Sequence, residues 1–537
     1  MKSIFNLLLL IILTAHINAF PQDTFTNPVL PGFHPDPSIC RVGEDYYLAN
    51  STFEWFPGVP IYHSRDLVNW ELIGHALHRP EQLPQLMKVK TSRGIYAPTL
   101  RYHDGLFYMI TTCVQGGGNF FVTAENPAGP WSDPVWLPEA PGIDPSLFWD
   151  DDGKCYYTGA GRVAQLQDKW ENQNGVWMAE IDLKSGKLIG EKIQLTHGHG
   201  TQAWWTEGPH IYKIDGRYLL VVAEGGTGFT HAITVFESDD IRGPYIPSQI
   251  NPVLTHRHLG ADHLITTIGH GDLVETQNGE WWAVTLGKRQ LKSQYLLARE
   301  TFLTPVVFEN GWPVFNPGKG MVTAVERRPN LPWSPVEKQP ARDNFNDSKL
   351  GLDYYFLRTP LNSWFEVGNG KLEVELRPEQ LKEELVNPSM IMKKLTAEDF
   401  EVATALKFNS KRANEEAGLT LFRDAYCHYT LALSGREVVL KHLRKGELVK
   451  EIRQPYKSSN IVLKASATDG LVSFYFGDTA DNLTLLADKM PLSTLADQVS
   501  GGFNGPFLGM YASSNGKISK SKAIFNWFEY KVSENAL

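Results

Sequence analysis

Three acidic residues stand at equivalent places in a repeated sequence pattern. Asp36 and Asp144 each begin a "DPS" tripeptide, and Glu207 begins "EGPHIYK". A carboxyl group donates a proton when it is kept neutral and accepts one when it is ionised. Because a neighbouring negative charge raises the pKa of a carboxyl group, acids held close together can divide these two roles. The three residues therefore predict general acid–base chemistry, provided that the fold brings them together.

Each acid also has an ordinary structural interpretation. Asp36 lies between Pro35 and Pro37, so we expect it in an extended conformation, and a simple turn would need nothing more. Asp144 is also followed by Pro-Ser, so the same turn interpretation applies to it. Glu207 follows two tryptophans, and apolar neighbours raise a carboxyl pKa, which favours a proton donor. Two carboxyl groups that flank a bond are the arrangement of glycoside hydrolysis, in which one protonates the leaving oxygen and the other activates water or attacks directly.

The acids are positioned by a hairpin pattern that recurs five times. Each copy has a short apolar strand, a polar turn with Gly or Asp, and an aromatic-rich strand, which is typical of a β-hairpin. The spacing of roughly 45–65 residues is typical of propeller blades. The copies begin at Asp36, Ala97, Asp144, Glu207 and His270. We therefore expect a five-bladed β-propeller over residues 20–325, with these five residues converging on one pocket.

The remainder of the chain has a different pattern. Residues 326–340 are rich in proline and predict a linker. Residues 341–537 contain short alternating stretches such as "KLEVELRP" and "LVSFYFG", without a helix-length periodic run. This pattern predicts an antiparallel β-sandwich, so the expected fold class is all-β.

Composition and the N-terminus limit the classes of partner. The 537 residues carry a formal net charge of −9 without a long basic run, which argues against nucleic acid. Residues 1–19 combine a lysine, a short apolar run and a small final residue, which is typical of a secretory signal peptide; a membrane anchor is the alternative. No later stretch is long enough to cross a membrane. We expect a secreted or periplasmic protein that has no membrane partner.

Cysteine and histidine spacing does not predict a metal site. Four histidines lack zinc-protease spacing: His256, His258, His263 and His270. The acidic segment "WDDDGK", residues 149–154, is interpreted as a hairpin turn rather than a calcium loop. Four cysteines are far apart in sequence, and we favour buried free thiols while the sequence leaves any disulfide pairing open: Cys40, Cys113, Cys155 and Cys427.

These segments together resemble glycoside hydrolase family 43, and specifically its two-domain β-xylosidase/α-L-arabinofuranosidase branch. The resemblance covers nearly the whole mature chain. Its most specific stretches are "NPVLPGFHPDPSICRVGEDYYLANSTFEWFPGVPIYHSRDLVNW", "GIDPSLFWDDDGK", "TEGPHIYK", "AEGGT" and "LLARET". "DNFNDSKLGLDYYFLR" resembles the opening of the family's concanavalin-like C-terminal sandwich. The resemblance implies an exo-acting, inverting glycosidase that releases terminal β-D-xylose, α-L-arabinofuranose or both from xylo- and arabino-oligosaccharides.

The resemblance also implies catalytic roles. Asp36 is similar to the family's general base, which activates water. Glu207 is similar to the general acid, and Asp144 to the residue that modulates the pKa and position of that acid. One alternative is the β-fructosidase class, which pairs the same two folds but retains the anomeric configuration with a nucleophile in an Asn-Asp-Pro-Asn setting. The other alternative is a non-catalytic sugar-binding propeller, which does not need three converging acids.

Four further residues are candidates for substrate binding. Arg299 in "LARET" resembles a sugar-binding arginine, and Phe53 resembles a wall of the terminal-sugar pocket. Phe507 resembles a sandwich residue that reaches the pocket rim. His270 is a candidate because it begins a blade near the axis. The alternatives are core packing for both phenylalanines, a strand surface for Arg299 and a structural role for His270.

The expected cofactor is none. Some relatives hold calcium in the sandwich through an early aspartate and late acids. Asp343 suits the early position, but Ile524 and Asn526 stand where acids are expected, so a bound calcium is not predicted. The sequence leaves open the preference between xylose and arabinose. It also leaves open whether the chain forms a homo-oligomer.

Overall fold

The computed structural model describes residues 23–163, 169–200, 203–292, 294–410 and 412–533. The predicted signal peptide, residues 1–19, lies outside the described residues. Within the described part, no helix has the length and apolar character needed to cross a membrane. Strands dominate, and the expected all-β fold class is confirmed.

Five four-stranded antiparallel sheets form the blades of a propeller. Blade 1 contains Ser38–Val42, Asp45–Ala49, Gly58–Ser64 and Glu71–Leu77; blade 2 contains Thr99–His103, Leu106–Cys113, Gly118–Ala124 and Val135–Trp136; blade 3 contains Ile143–Trp149, Cys155–Ala160, Val176–Asp182 and Lys187–Thr196; blade 4 contains Glu207–Ile214, Arg217–Glu224, Ala232–Ser238 and Ile246–Pro247; blade 5 contains Ile265–Glu275, Trp281–Arg289, Glu300–Glu309 and Trp312–Phe315. The first strand of each blade is the inner one, and the inner strands contact one another around the axis. The five-bladed prediction is confirmed.

A short strand pair joins the two ends of the propeller segment. Thr24–Thr26 pairs in antiparallel register with Val325–Arg327. Asn27 continues this closure, because its side chain donates to the Leu303 carbonyl and accepts from the Leu303 amide, each at 2.9 Å. The first two residues of the predicted linker therefore belong to a strand.

The C-terminal domain consists of two antiparallel sheets. In spatial order, the larger sheet contains Phe365–Gly368, Lys371–Glu375, Lys522–Val532, Phe400–Lys407, Asn460–Thr468, Leu471–Thr479 and Asn482–Pro491, with Arg342–Asp343 paired to Lys522–Val532. The smaller sheet contains Ser389–Lys394, Phe507–Ser513, Glu416–Asp424, Cys427–Ser434, Glu437–Arg444 and Glu447–Pro455. In Lys371–Glu375, Leu372 and Val374 point inward between charged neighbours, and this period of two lets one face of each sheet pack against the other.

Helical structure is limited to four short segments in the described part. The one α-helix is Asp497–Ser500, and the 3-10 segments are Pro80–Gln82, Pro84–Lys88 and Leu492–Leu495.

The propeller and the sandwich share an apolar interface. Trp55–Phe56, in the loop before the third strand of blade 1, pairs with Phe356–Leu357 of the sandwich. The Phe507 ring stacks on Trp55 with the ring centroids 3.7 Å apart, and both side chains are fully buried. Phe507 therefore belongs to the interdomain core. The prediction that Phe507 reaches the pocket rim is wrong, and its core-packing alternative is correct.

A polar network lies on the propeller axis. Asp272 is fully buried at its centre and accepts hydrogen bonds from Arg101, at 2.8 and 3.1 Å, and from the hydroxyls of Ser38 and Tyr212. Arg101 also donates to Nδ1 of His210 at 2.9 Å. Because Arg101 and the other donors stabilise the charged form, the pKa of Asp272 lies well below its usual range even though burial opposes ionisation. The network joins all five inner strands through Ser38, Arg101, Ser146, His210, Tyr212 and Asp272.

Replacing Asp272 with asparagine should destabilise the fold by about 3–5 kcal/mol, because it leaves the buried Arg101 without a counter-charge. Denaturant unfolding measures this loss. The matched control is Asp469→Asn, which breaks an exposed ion pair with Lys292 and should leave the stability nearly unchanged, because water screens exposed charges. Equal stability of the two variants would show that the axial network does not hold the blades together.

Candidate active site

The five residues that begin the sequence repeats all line one cavity of about 600 Å³, a size typical of small-molecule sites: Asp36, Ala97, Asp144, Glu207 and His270. Each residue comes from a different blade. The axial network lies a few residues further along the same inner strands. The three acids thus face a common space at one end of the propeller axis.

Backbone irregularities aim these side chains at the cavity. The pairing register shifts between Ile143 and Ser146 and between Glu207 and His210, and Asp144 and Gly208 lie inside these β-bulges. A bulge re-aims a side chain relative to a regular strand. Asp144 has a φ of +53°, a conformation that costs a non-glycine residue about 1–3 kcal/mol. The fold therefore maintains strain at the position of a candidate catalytic acid.

Asp36 is strained in the same way. Its φ is +52°, so the extended conformation expected from the flanking prolines is wrong. The carboxylate is buried and accepts hydrogen bonds at both oxygens: Arg299 donates at 2.8 Å, and the Ser51 hydroxyl donates to the other oxygen. These contacts fix the direction in which the carboxylate faces the cavity.

Two aromatic rings and two hydrogen bonds hold the Arg299 guanidinium in place. Its guanidinium lies 5.0 Å from the ring centroid of Phe53 and 5.3 Å from that of Phe503. One terminal nitrogen donates to Asp36, and the other donates to the Phe503 carbonyl at 3.0 Å. Within the described residues, Nε has no partner. Arg299 and Phe53 both line the cavity, where the sequence predicts substrate contacts.

Asp144 and Glu207 lie close enough to affect each other's protonation. Asp144 accepts a 3.2 Å hydrogen bond from the amide of Gly208, the residue after Glu207. Burial and the Asp36 charge raise the pKa of Asp144. Burial, followed by the charges of Asp144 and Asp36, raises the pKa of Glu207 well above its usual range. Glu207 is therefore the group suited to carry a proton.

His270 packs against the backbone beside Glu207. A Cβ placed at Gly208, whose φ is +59°, would lie 2.9 Å from the His270 ring. Only glycine fits there, so the close approach depends on the residue type in "EGPH". Burial lowers the pKa of His270, which keeps the ring neutral. His270 lines the cavity, consistent with a substrate contact.

The cavity rim includes residues outside the predicted set of site residues. Phe503 comes from the sandwich and lies four residues before Phe507, in "GGFNGPF"; this glycine-rich loop is the signal that could have identified it. Trp204 and Trp205 line the same cavity, and each is nearly half exposed. Further polar or aromatic lining residues without a predicted role are Arg93, Tyr96, Asn172 and Asn174.

The sequence raised the questions of a bound metal and of disulfide pairing, and both concern side chains that the structure describes. The described residues contain no cluster of three or more His, Cys, Asp or Glu side chains arranged to hold a metal ion. The oxygens of Asp343 accept from the Phe345 amide at 2.7 Å and the Tyr354 hydroxyl at 3.1 Å. All four cysteines are buried and unpaired.

Comparisons with known proteins identify the family to which the chain belongs. A family model described as "Glycosyl hydrolases family 43" matches residues 25–313, and one described as "Beta xylosidase C-terminal Concanavalin A-like domain" matches residues 342–531. A xylosidase/arabinosidase of Butyrivibrio fibrisolvens is 41% identical, over 94% of this chain and 98% of that protein. A non-reducing-end α-L-arabinofuranosidase of Bacteroides ovatus is 39% identical over 99% of both chains.

A solved structure is similar to this chain over both domains. The chain superimposes on a xylan β-1,4-xylosidase from Bacillus halodurans with a TM-score of 0.87 and 35% identity, covering 95% of this chain and all of that one. The superposition spans the propeller and the sandwich together. The two-domain arrangement described above is therefore shared with a solved xylosidase.

Proposed function

Because the chain belongs to glycosyl hydrolase family 43 and is a glycosidase, we propose that it removes single terminal pentoses from hemicellulose oligosaccharides. The proposed leaving sugars are β-D-xylose, α-L-arabinofuranose or both. The observation that carries the proposal is the convergence of Asp36, Asp144 and Glu207, from three blades, on one cavity. Relatives named as xylosidases and arabinofuranosidases support the choice of pentoses.

The proposed mechanism is a single displacement with inversion. Asp36 accepts a proton from a water molecule, whose oxygen attacks the anomeric carbon. Glu207 donates its proton to the glycosidic oxygen, and the bond to the leaving group breaks. Asp144 keeps Glu207 protonated through its negative charge and orients it through the Gly208 amide. Arg299 and Ser51 orient the Asp36 carboxylate so that it faces the position of the attacking water.

The proposal is tested by product analysis. The protein is incubated with nitrophenyl β-D-xylopyranoside, nitrophenyl α-L-arabinofuranoside and xylo- and arabino-oligosaccharides. We expect monosaccharide to be released from the first time point, with the oligosaccharide shortened by one unit at a time. Early release of larger fragments would contradict exo action, and inactivity on every pentoside would contradict the substrate class.

The role of Asp144 predicts a shift in the pH profile. A general acid must be protonated, so activity falls as the pH rises through the pKa of Glu207. Because the charge of Asp144 raises that pKa, Asp144→Asn should move the basic limb of the kcat/KM profile to lower pH, by about one unit or more. Asp151→Asn, at an exposed turn of the same blade, is the control and should leave the limb in place. An unmoved limb in Asp144→Asn would contradict the modulating role.

We also propose export from the cytoplasm, on the basis of the apolar segment in residues 1–19. Expression in a secreting host followed by N-terminal sequencing tests this proposal. A mature chain that begins near Phe20 is expected, and an intact N-terminus on the exported protein would contradict cleavage.

A further inference from the structure

A loop of the sandwich forms part of the cavity wall in the propeller. The loop, residues 501–506, follows the helix Asp497–Ser500 and leads into the strand Phe507–Ser513. The backbone of Phe503 is tied to the propeller on both sides: its amide donates to the Ser92 hydroxyl at 2.8 Å, and its carbonyl accepts from Arg299 at 3.0 Å. The sandwich thus supplies the group that holds the far side of the guanidinium paired with Asp36.

A buried carboxylate of the propeller anchors this loop. Glu54 is 1% exposed and lies next to Phe53 in sequence. One of its oxygens accepts from the Asn504 side-chain amide, and the other accepts from the Ser92 backbone amide at 2.9 Å. Glu54 therefore fixes Asn504, the residue after Phe503, and also Ser92, which binds the Phe503 amide.

Arg358, a residue of the sandwich, also contacts Glu54. It is 1% exposed, and its backbone amide donates to the Glu54 carbonyl at 2.8 Å. Its guanidinium donates to the carbonyls of Val89 and Val386, at 2.8 and 3.2 Å, so no carboxylate neutralises it by direct contact within the described residues. Burial raises the pKa of Glu54, and the positive charge of Arg358 across the domain boundary opposes this rise by favouring the ionised carboxylate.

We propose that Glu54, Ser92, Arg358 and Asn504 form an interdomain clasp that positions the catalytic base. None of the four lines the cavity, so they are positioning residues. The clasp fixes Phe503, Phe503 orients Arg299 through its carbonyl and ring, and Arg299 orients Asp36. This inference rests on the proposed function, because it assigns the clasp an effect on the Asp36-dependent step.

The main test exchanges the carboxylate of Glu54 and the side-chain amide of Asn504 between the two positions. Asn504→Asp places two carboxylates together in a buried site and should lower kcat at least about 30-fold, with KM changed less than threefold. In the double variant Glu54→Gln/Asn504→Asp, the amide of the introduced glutamine can donate to the new carboxylate while its carbonyl accepts from the Ser92 amide. The negative charge also remains near Arg358. We expect kcat to return to within about threefold of the wild type.

A second variant separates positioning from stability. Ser92 has a φ of +62°, so Ser92→Gly removes the hydroxyl that binds Phe503 and relieves backbone strain at the same time. We expect kcat to fall about fivefold while the melting temperature is unchanged or higher. This variant also keeps the test decisive if Asn504→Asp fails to fold.

The outcomes are distinguishable. A purely structural clasp would lower the melting temperature of Asn504→Asp but leave kcat per folded molecule unchanged, and that result would overturn the inference. A normal kcat in Ser92→Gly, or no recovery in a folded double variant, would also overturn it. Inactivity of the wild-type protein on all pentosides would instead refute the proposed function.

Discussion

Replacing Asp36 with asparagine is expected to lower kcat on pentosides by about 10²- to 10⁴-fold, the usual contribution of a general base. Asparagine has nearly the same shape and can still accept a hydrogen bond from Arg299, but it cannot take a proton from water. Within the described residues, Asp36 is the one of the three acids whose two oxygens both accept hydrogen bonds from side chains. Steady-state kinetics on a nitrophenyl pentoside measures the loss.

Two companion measurements make this result interpretable. Ser51→Ala keeps the carboxylate and its arginine partner, so it should cost about tenfold or less in kcat. A thermal melt of Asp36→Asn should retain a cooperative transition. Loss of that transition would make Asp36 a structural residue, and near-normal kcat in a folded variant would exclude it as the base.

Replacing Glu207 with glutamine is expected to produce a loss that depends on the leaving group. A sugar leaving group needs a proton, so turnover of xylobiose should fall by about 10²- to 10⁴-fold. Nitrophenolate is a far better leaving group, so the loss on a nitrophenyl pentoside should be at least about tenfold smaller. The basic limb of the pH profile should also disappear on that substrate, because the group whose raised pKa sets the limb is gone.

The comparison between the two substrates is the control for this variant. A defect in binding or folding would lower both activities by the same factor. Equal losses, or a basic limb that persists unchanged in Glu207→Gln, would therefore contradict the assignment of Glu207 as general acid.

Local sequence patterns were sufficient to predict the blades and where their first residues lie. The hairpin turns and the spacing of the copies are local features, and every residue that begins a copy lines the cavity. The conformation of Asp36 was not predictable in this way. Its positive φ is imposed by the surrounding fold, which overrides the preference that the following proline sets for an isolated chain.

Contacts between distant parts of the chain account for what sequence reasoning missed. The bond between Asn504 and Glu54 joins residues 450 positions apart, and nothing in either local segment specifies the other. For the same reason the prediction selected Phe507, in a strand, instead of Phe503, in the loop before it. Phe507, in the strand, packs in the apolar core between the domains, whereas Phe503, in the loop, contacts Arg299.

The anomeric configuration of the first product tests the central claim most directly, because the claim requires Asp36 to activate water while Glu207 protonates the leaving oxygen. Proton NMR follows hydrolysis of a β-D-xyloside from the first seconds, before mutarotation. We predict that α-D-xylose forms first. Initial formation of β-D-xylose would show a covalent intermediate with retention, and would contradict the single displacement assigned to these acids.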